Sequence, residues 1–152
     1  MKQFRLTPTS LFLFTFLLGL FFTWSHPFNF TSFINSVVVS MTGVIILMSS
    51  FVLNLLAYRE FKKYHTPHAP FVATRVLMRK SVFSISRNPV YLALILSELG
   101  LAFVFDTIWL IVCSGVLWIS LDILVVSDEE KVLSNTFKQE YSGYKKKTRR
   151  WL

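Results

Sequence analysis

The sequence predicts an all-α integral membrane protein with about four transmembrane helices, a C-terminal helical hairpin and a cytoplasmic amphipathic C-terminal helix. Three observations carry this expectation. The 152 residues are 53% hydrophobic, include 16 phenylalanines and have a mean hydropathy of +0.54. A water-soluble domain of that length cannot bury so much apolar surface. The apolar residues gather into four spans, over residues 9–24, 37–58, 90–105 and 107–126. All 16 lysines and arginines then fall on one side of a four-span arrangement. By the positive-inside rule that side, with both termini, is cytoplasmic.

The first span reaches the roughly 20 residues needed to cross the hydrocarbon core only if its flanks out to Phe28 are included. Lys2 and Arg5 before it resemble the start of a signal peptide, but Thr23-Trp24-Ser25-His26 is a poor cleavage site, so a retained helix is expected. The loop over 25–36 lacks Lys and Arg, and its sequon Asn29-Phe30-Thr31 is weak evidence for glycosylation so near the membrane. The second span is long enough by itself. The third is short and is separated from the fourth only by Asp106, which reads as a tight hairpin. Cys113, the single cysteine, lies within the fourth span and reads as a packing residue.

One domain, 1–152, is expected: two N-terminal spans (1–58), a cytoplasmic connection (59–89), the hairpin (90–126) and a cytoplasmic C-terminal segment (127–152). The connection is long for a plain loop, and Tyr64, Phe71, Val76, Leu77, Val82 and Phe83 argue that it packs. In the last segment Ser127-Asp128-Glu129-Glu130 has the form of a capping box. Leu133, Phe137, Tyr141 and Tyr144 follow at helical spacing, and Trp151 reads as an interfacial anchor.

The net charge of +8 is explained by basic residues beside anionic membrane lipids and calls for no nucleic acid. Phosphate-binding loops and Ser/His/Asp signatures are missing. His65 and His68 are separated by Pro67, so no metal site is expected.

What remains is an ordered polar set at the cytoplasmic ends of the spans: Thr66 to Pro70, Arg87-Asn88-Pro89-Val90-Tyr91, Glu129-Glu130, and Tyr141, Tyr144, Arg149-Arg150-Trp151. This order resembles the isoprenylcysteine carboxyl methyltransferase and phospholipid methyltransferase superfamily of membrane enzymes. The resemblance implies S-adenosylmethionine as methyl donor and a lipophilic acceptor: an isoprenylcysteine-like carboxylate, a phospholipid amine or another small lipid. It implies donor contacts from Phe83, Arg87, Asn88, Pro89, Tyr91, Glu129 and Glu130. Arg150 and Glu98 are the candidates for a catalytic role. The forked Arg87 guanidinium suits a carboxylate, and Glu129 or Glu130 suits an ammonium or ribose hydroxyl. The intramembrane Glu98 shares a helix face with Tyr91; it either meets an acceptor amine or stays protonated and bonds a neighbouring helix.

The chain departs from the family pattern where relatives have Gly-Pro-Tyr, here Ser81-Val82-Phe83, and where they have glycine, here Ala93 and Lys138. A side chain in place of the first glycine is expected to need an ordinary φ < 0 conformation or mild strain. The alternatives are a non-catalytic membrane scaffold or lipid-binding relative with a degenerate cofactor site, and a small transporter subunit using Glu98 and Asp122.

Overall fold

The computed structural model describes residues 7–64 and 76–152. His65, Thr66, His68 and Pro70 lie outside them. Five helices follow in order: α1 (Pro8–Ser25), α2 (Ser36–Lys63), α3 (Pro89–Val104), α4 (Ile108–Leu121) and α5 (Ser127–Lys147). Short 3-10 turns cover Phe30–Ser32 and Ser81–Ser84. Among the described residues, three helices are long and apolar enough to cross a membrane: α1, α2, and the helix that α4 begins, which continues into α5 and kinks at Lys138. Helix α3, at 16 residues, rises only about 24 Å. The protein is thus of the all-α membrane class.

Local chemistry sets the helix starts. Thr7 accepts a hydrogen bond from the Ser10 amide at 3.2 Å ahead of Pro8. Asn35 accepts from the Val37 amide at 2.9 Å, and Thr107 from that of Trp109 at 3.3 Å. Pro89 occupies the first turn of α3, where its missing N–H costs nothing.

Helix α2 packs along α3 and α1 along α4, and the α3–α4 hairpin joins the two pairs. Lipid offers helices no hydrophobic driving force, so close approach and interhelical hydrogen bonds matter most. Gly43 of α2 and Gly100 of α3 let the backbones meet: a Cβ on Gly43 would stand 3.0 Å from the Gly100 carbonyl oxygen. Ser50 donates to the Ala93 carbonyl at 2.7 Å, and Thr23 meets Thr107 at 2.8 Å. At the hairpin turn Asp106 has φ 51°, a region aspartate tolerates. Its carboxylate accepts from the sequon residues Asn29 and Thr31.

The expected helix start at Ser127 is not there. Ser127 is helical, with φ −61° and ψ −37°, and its hydroxyl donates back to the Ile123 carbonyl at 2.5 Å. Helix α4 runs through a π turn, Asp122–Val126, directly into α5. The Ser-x-x-Glu pattern therefore caps nothing here; mid-helix, a serine satisfies itself on the preceding turn. Trp151 has partners within the protein: its indole donates to Asp122 at 2.9 Å and its ring packs edge-on against Trp118.

Candidate functional site

The site is built where α1 and α3 begin and where α2 ends, the same end of the bundle that carries the described lysines and arginines. The segment before α3 and the segment after α5 run side by side there. The Arg87 amide donates to the Arg149 carbonyl at 3.1 Å, and the Asn88 side chain donates to that of Arg150 at 3.0 Å. The Ser86 hydroxyl reaches the same Arg150 carbonyl at 3.3 Å. On the other side, the buried Tyr144 hydroxyl donates to the Phe83 carbonyl. These bonds fix the turn that aims Phe83 and Arg87 inward.

Inside lies a cavity of about 540 Å³. Its wall brings together all seven residues expected to contact the donor: Phe83, Arg87, Asn88, Pro89, Tyr91, Glu129 and Glu130. Tyr141 and Tyr144 join them, with Asn54 from α2 and Thr7 and Thr9 from the start of α1. Asn54, an amide inside an apolar span, carried a sequence signal that went unread; the α1 contribution had none.

The charges are ordered. Tyr91 donates to Glu129 at 2.7 Å. Arg87 Nη2 lies 2.9 Å from Glu130 Oε1, with the Arg87 side chain only 11% exposed. Arg150 grips the same Glu130 carboxylate from behind, at 2.7 Å and 3.2 Å. Its remaining nitrogen lies 3.0 Å and 3.1 Å from the two Asp122 oxygens. Hydrogen bonding to Glu130, against some desolvation, holds the Arg150 pKa above its ordinary value. Burial, then the Glu130 charge, pushes the Tyr141 hydroxyl up to about 12, so it stays protonated beside that carboxylate. Arg87 Nε and Nη1 are buried and have no hydrogen-bond partner among the described residues.

The two candidate catalytic residues stand elsewhere. Arg150 lies behind Glu130 and is not part of the cavity wall. Glu98 is fully buried between helices, with Oε2 3.1 Å from the Thr15 hydroxyl of α1, and is also off the wall. Seven residues separate it from Tyr91, which shares its helix face, but they carry it about 10 Å along the helix, beyond the cavity floor.

At two of the departures from the family pattern the backbone keeps a conformation suited to glycine. Ser81 has φ 56° and Lys138 φ 43° with ψ −111°. Ser81 thus takes the strained alternative and not the φ < 0 one. Its side chain is exposed, so the turn carrying Phe83 keeps its course despite the substitution. The third, Ala93, is buried against α2.

An acid and an arginine in a cavity beneath an apolar helix bundle match the resemblance drawn from the motifs. No curated protein and no solved structure matches the chain. The family model for phospholipid methyltransferase matches residues 38–140, more than half of the chain and most of the cavity wall. The chain belongs to the phospholipid methyltransferase family of membrane methyltransferases.

Proposed function

We propose that the protein transfers a methyl group from S-adenosylmethionine to a lipophilic acceptor at the cytoplasmic membrane face. The observation that carries this reading is Arg87: a nearly buried guanidinium in the cavity wall, with two N–H-bearing nitrogens unpaired among the described residues. Leaving such donors unpaired is costly, and a carboxylate is the partner their fork fits. The volume of about 540 Å³ is within the range of pockets for ligands of that size. When bound, the donor would supply an electrophilic methyl carbon on a sulfonium; an acceptor oxygen or nitrogen would form the new bond to that carbon as the carbon–sulfur bond breaks, and S-adenosylhomocysteine would leave as the neutral thioether.

The residues of this chain then have distinct tasks. Arg87 holds the donor's carboxylate. Glu129, steadied by the Tyr91 hydroxyl, takes its ammonium or ribose hydroxyls. Phe83, Val90 and Leu94 line the apolar side and exclude water. Alignment and dryness supply most of the acceleration, without a strong base. The acceptor, an isoprenylcysteine-like carboxylate, a phospholipid amine or another small lipid, arrives from the bilayer. The lysines and arginines of the connection and the C-terminal segment favour an anionic cytoplasmic leaflet with both termini on that side.

Calorimetry with S-adenosylhomocysteine in lipid nanodiscs tests the reading. The unmodified protein is expected to bind. Arg87→Ala should lose a charge-assisted bond, about 1.5–3 kcal/mol or roughly ten- to a hundredfold in affinity. Equal affinity of the two proteins would refute the assignment of Arg87.

A further inference from the structure

Asp122 appears in no motif of the resemblance and does not line the cavity, yet it ends a continuous line of paired charges. Arg87 is paired with Glu130, Glu130 with Arg150, and Arg150 with Asp122. The Trp151 indole holds the second side of Asp122 at 2.9 Å. We infer that Asp122 is a positioning residue for the cavity: it fixes Arg150, which orients Glu130, which in turn holds Arg87 with its free N–H groups toward the ligand. The inference rests on the donor reading above.

The π turn makes this arrangement possible. Asp122 and Glu130 are eight residues apart, which in regular α-helix puts their side chains about 80° apart around the axis. The extra residue taken up by the π turn at Asp122–Val126 brings them to within about 20°. Both carboxylates then flank one guanidinium, bound through Nη1 on one side and through Nε and Nη2 on the other. The same shift swings Glu129 off that face, and its carboxylate meets Tyr91 instead. The Arg150 fork binds Glu130 through two nitrogens, and its third nitrogen meets both Asp122 oxygens at a site about one third exposed.

Arg150 without Asp122 has a single carboxylate to satisfy and is free to rotate about it. Glu130 would then be shared unevenly, and Arg87, which has one of its three nitrogens committed to Glu130, would lose its orientation. The effect on a ligand is indirect and passes through Arg87. That distinguishes it from simple support of the fold, which would act whether or not Arg87 were present.

The experiment is a double-mutant cycle read by S-adenosylhomocysteine calorimetry on the full chain in nanodiscs. Asp122→Asn, nearly isosteric, should weaken binding about three- to tenfold, and in an Arg87→Ala background it should change affinity less than about twofold. Arg150→Lys, which keeps the charge but loses the fork, should behave like Asp122→Asn and serves if that variant folds poorly. Affinity equal to the unmodified protein in both variants, or losses that simply add to that of Arg87→Ala, overturns the inference and leaves the donor reading intact. An unmodified protein that binds no S-adenosylhomocysteine overturns both.

Discussion

Ser81→Gly should stabilise the protein and leave ligand affinity almost unchanged. Ser81 sits at φ 56°, where a Cβ costs about 1–2 kcal/mol. Glycine removes that strain but brings back about 0.4–1 kcal/mol of unfolded-state entropy. The Ser81 side chain is exposed and lines no part of the cavity, so little packing is lost. The net gain is about 0.5–1 kcal/mol, or roughly 1–4 °C in melting temperature for a chain of this size. Ser81→Val is the opposite control: a β-branched residue at this φ should cost about 1 kcal/mol or more. Cys113 provides the assay. It is the single cysteine and only 4% exposed, so a thiol-reactive dye reports its release on heating. Affinity for S-adenosylhomocysteine should shift less than about threefold, because the turn already follows the glycine path. A melting temperature lowered by glycine, or unchanged by valine, would refute the strain argument.

Other perturbations probe the remaining parts. Gly43→Val should separate α2 from α3 and cost about 1–3 kcal/mol, since its Cβ meets Phe103, Val104 and the Gly100 carbonyl within 3.0 Å; an unchanged Cys113 melting profile would count against the close approach. Tyr144→Phe leaves the Phe83 carbonyl without its buried donor and should cost about 1–2 kcal/mol, with weaker S-adenosylhomocysteine binding as the wall loosens; wild-type stability would refute it. At the hairpin turn, desolvation raises the Asp106 pKa, but hydrogen bonds from Thr31, Asn29 and Phe30 outweigh it and hold the carboxyl below its ordinary value of 3.8. A depressed folded-state pKa means that this stabilisation is complete above that value and fades as pH falls through the folded one. Asp106→Asn should therefore melt lower than the unmodified protein at pH 7 and show a flatter acid limb below about pH 4; parallel pH profiles would refute the role of the turn.

The membrane class and the placing of the apolar helices could be read from the sequence because hydropathy and charge asymmetry act over whole spans. The cavity residues could be read because Arg87 to Tyr91 and Glu129-Glu130 stand in a recognisable order, and each turned up in the wall. What escaped depends on one-residue geometry. No residue type marks a π turn, so the phase of Asp122 against Glu130 was invisible, and Ser127 looked like a cap when it lies mid-helix. The pairing of Trp151 and Arg150 with Asp122 was not legible, because Asp122 sits 28 residues or more upstream and joins them only through tertiary folding. Ser81 and Lys138 could be seen to replace family glycines, but not that the backbone would hold the glycine conformation anyway. Glu98 was expected inward, and its depth along α3 decides what it meets: Thr15, not the cavity.

The side-by-side pairing of residues 86–88 with 149–150 also sets a schedule. During synthesis the Arg87 loop emerges some 60 residues before the segment whose carbonyls hold it. By the time that segment leaves the ribosome, α1 to α4 have all been made and are available for insertion. The cavity is therefore closed only after the residues of all four helices have been made. A chain truncated after residue 140 and released from the ribosome should insert α1 to α4 and leave the site unformed.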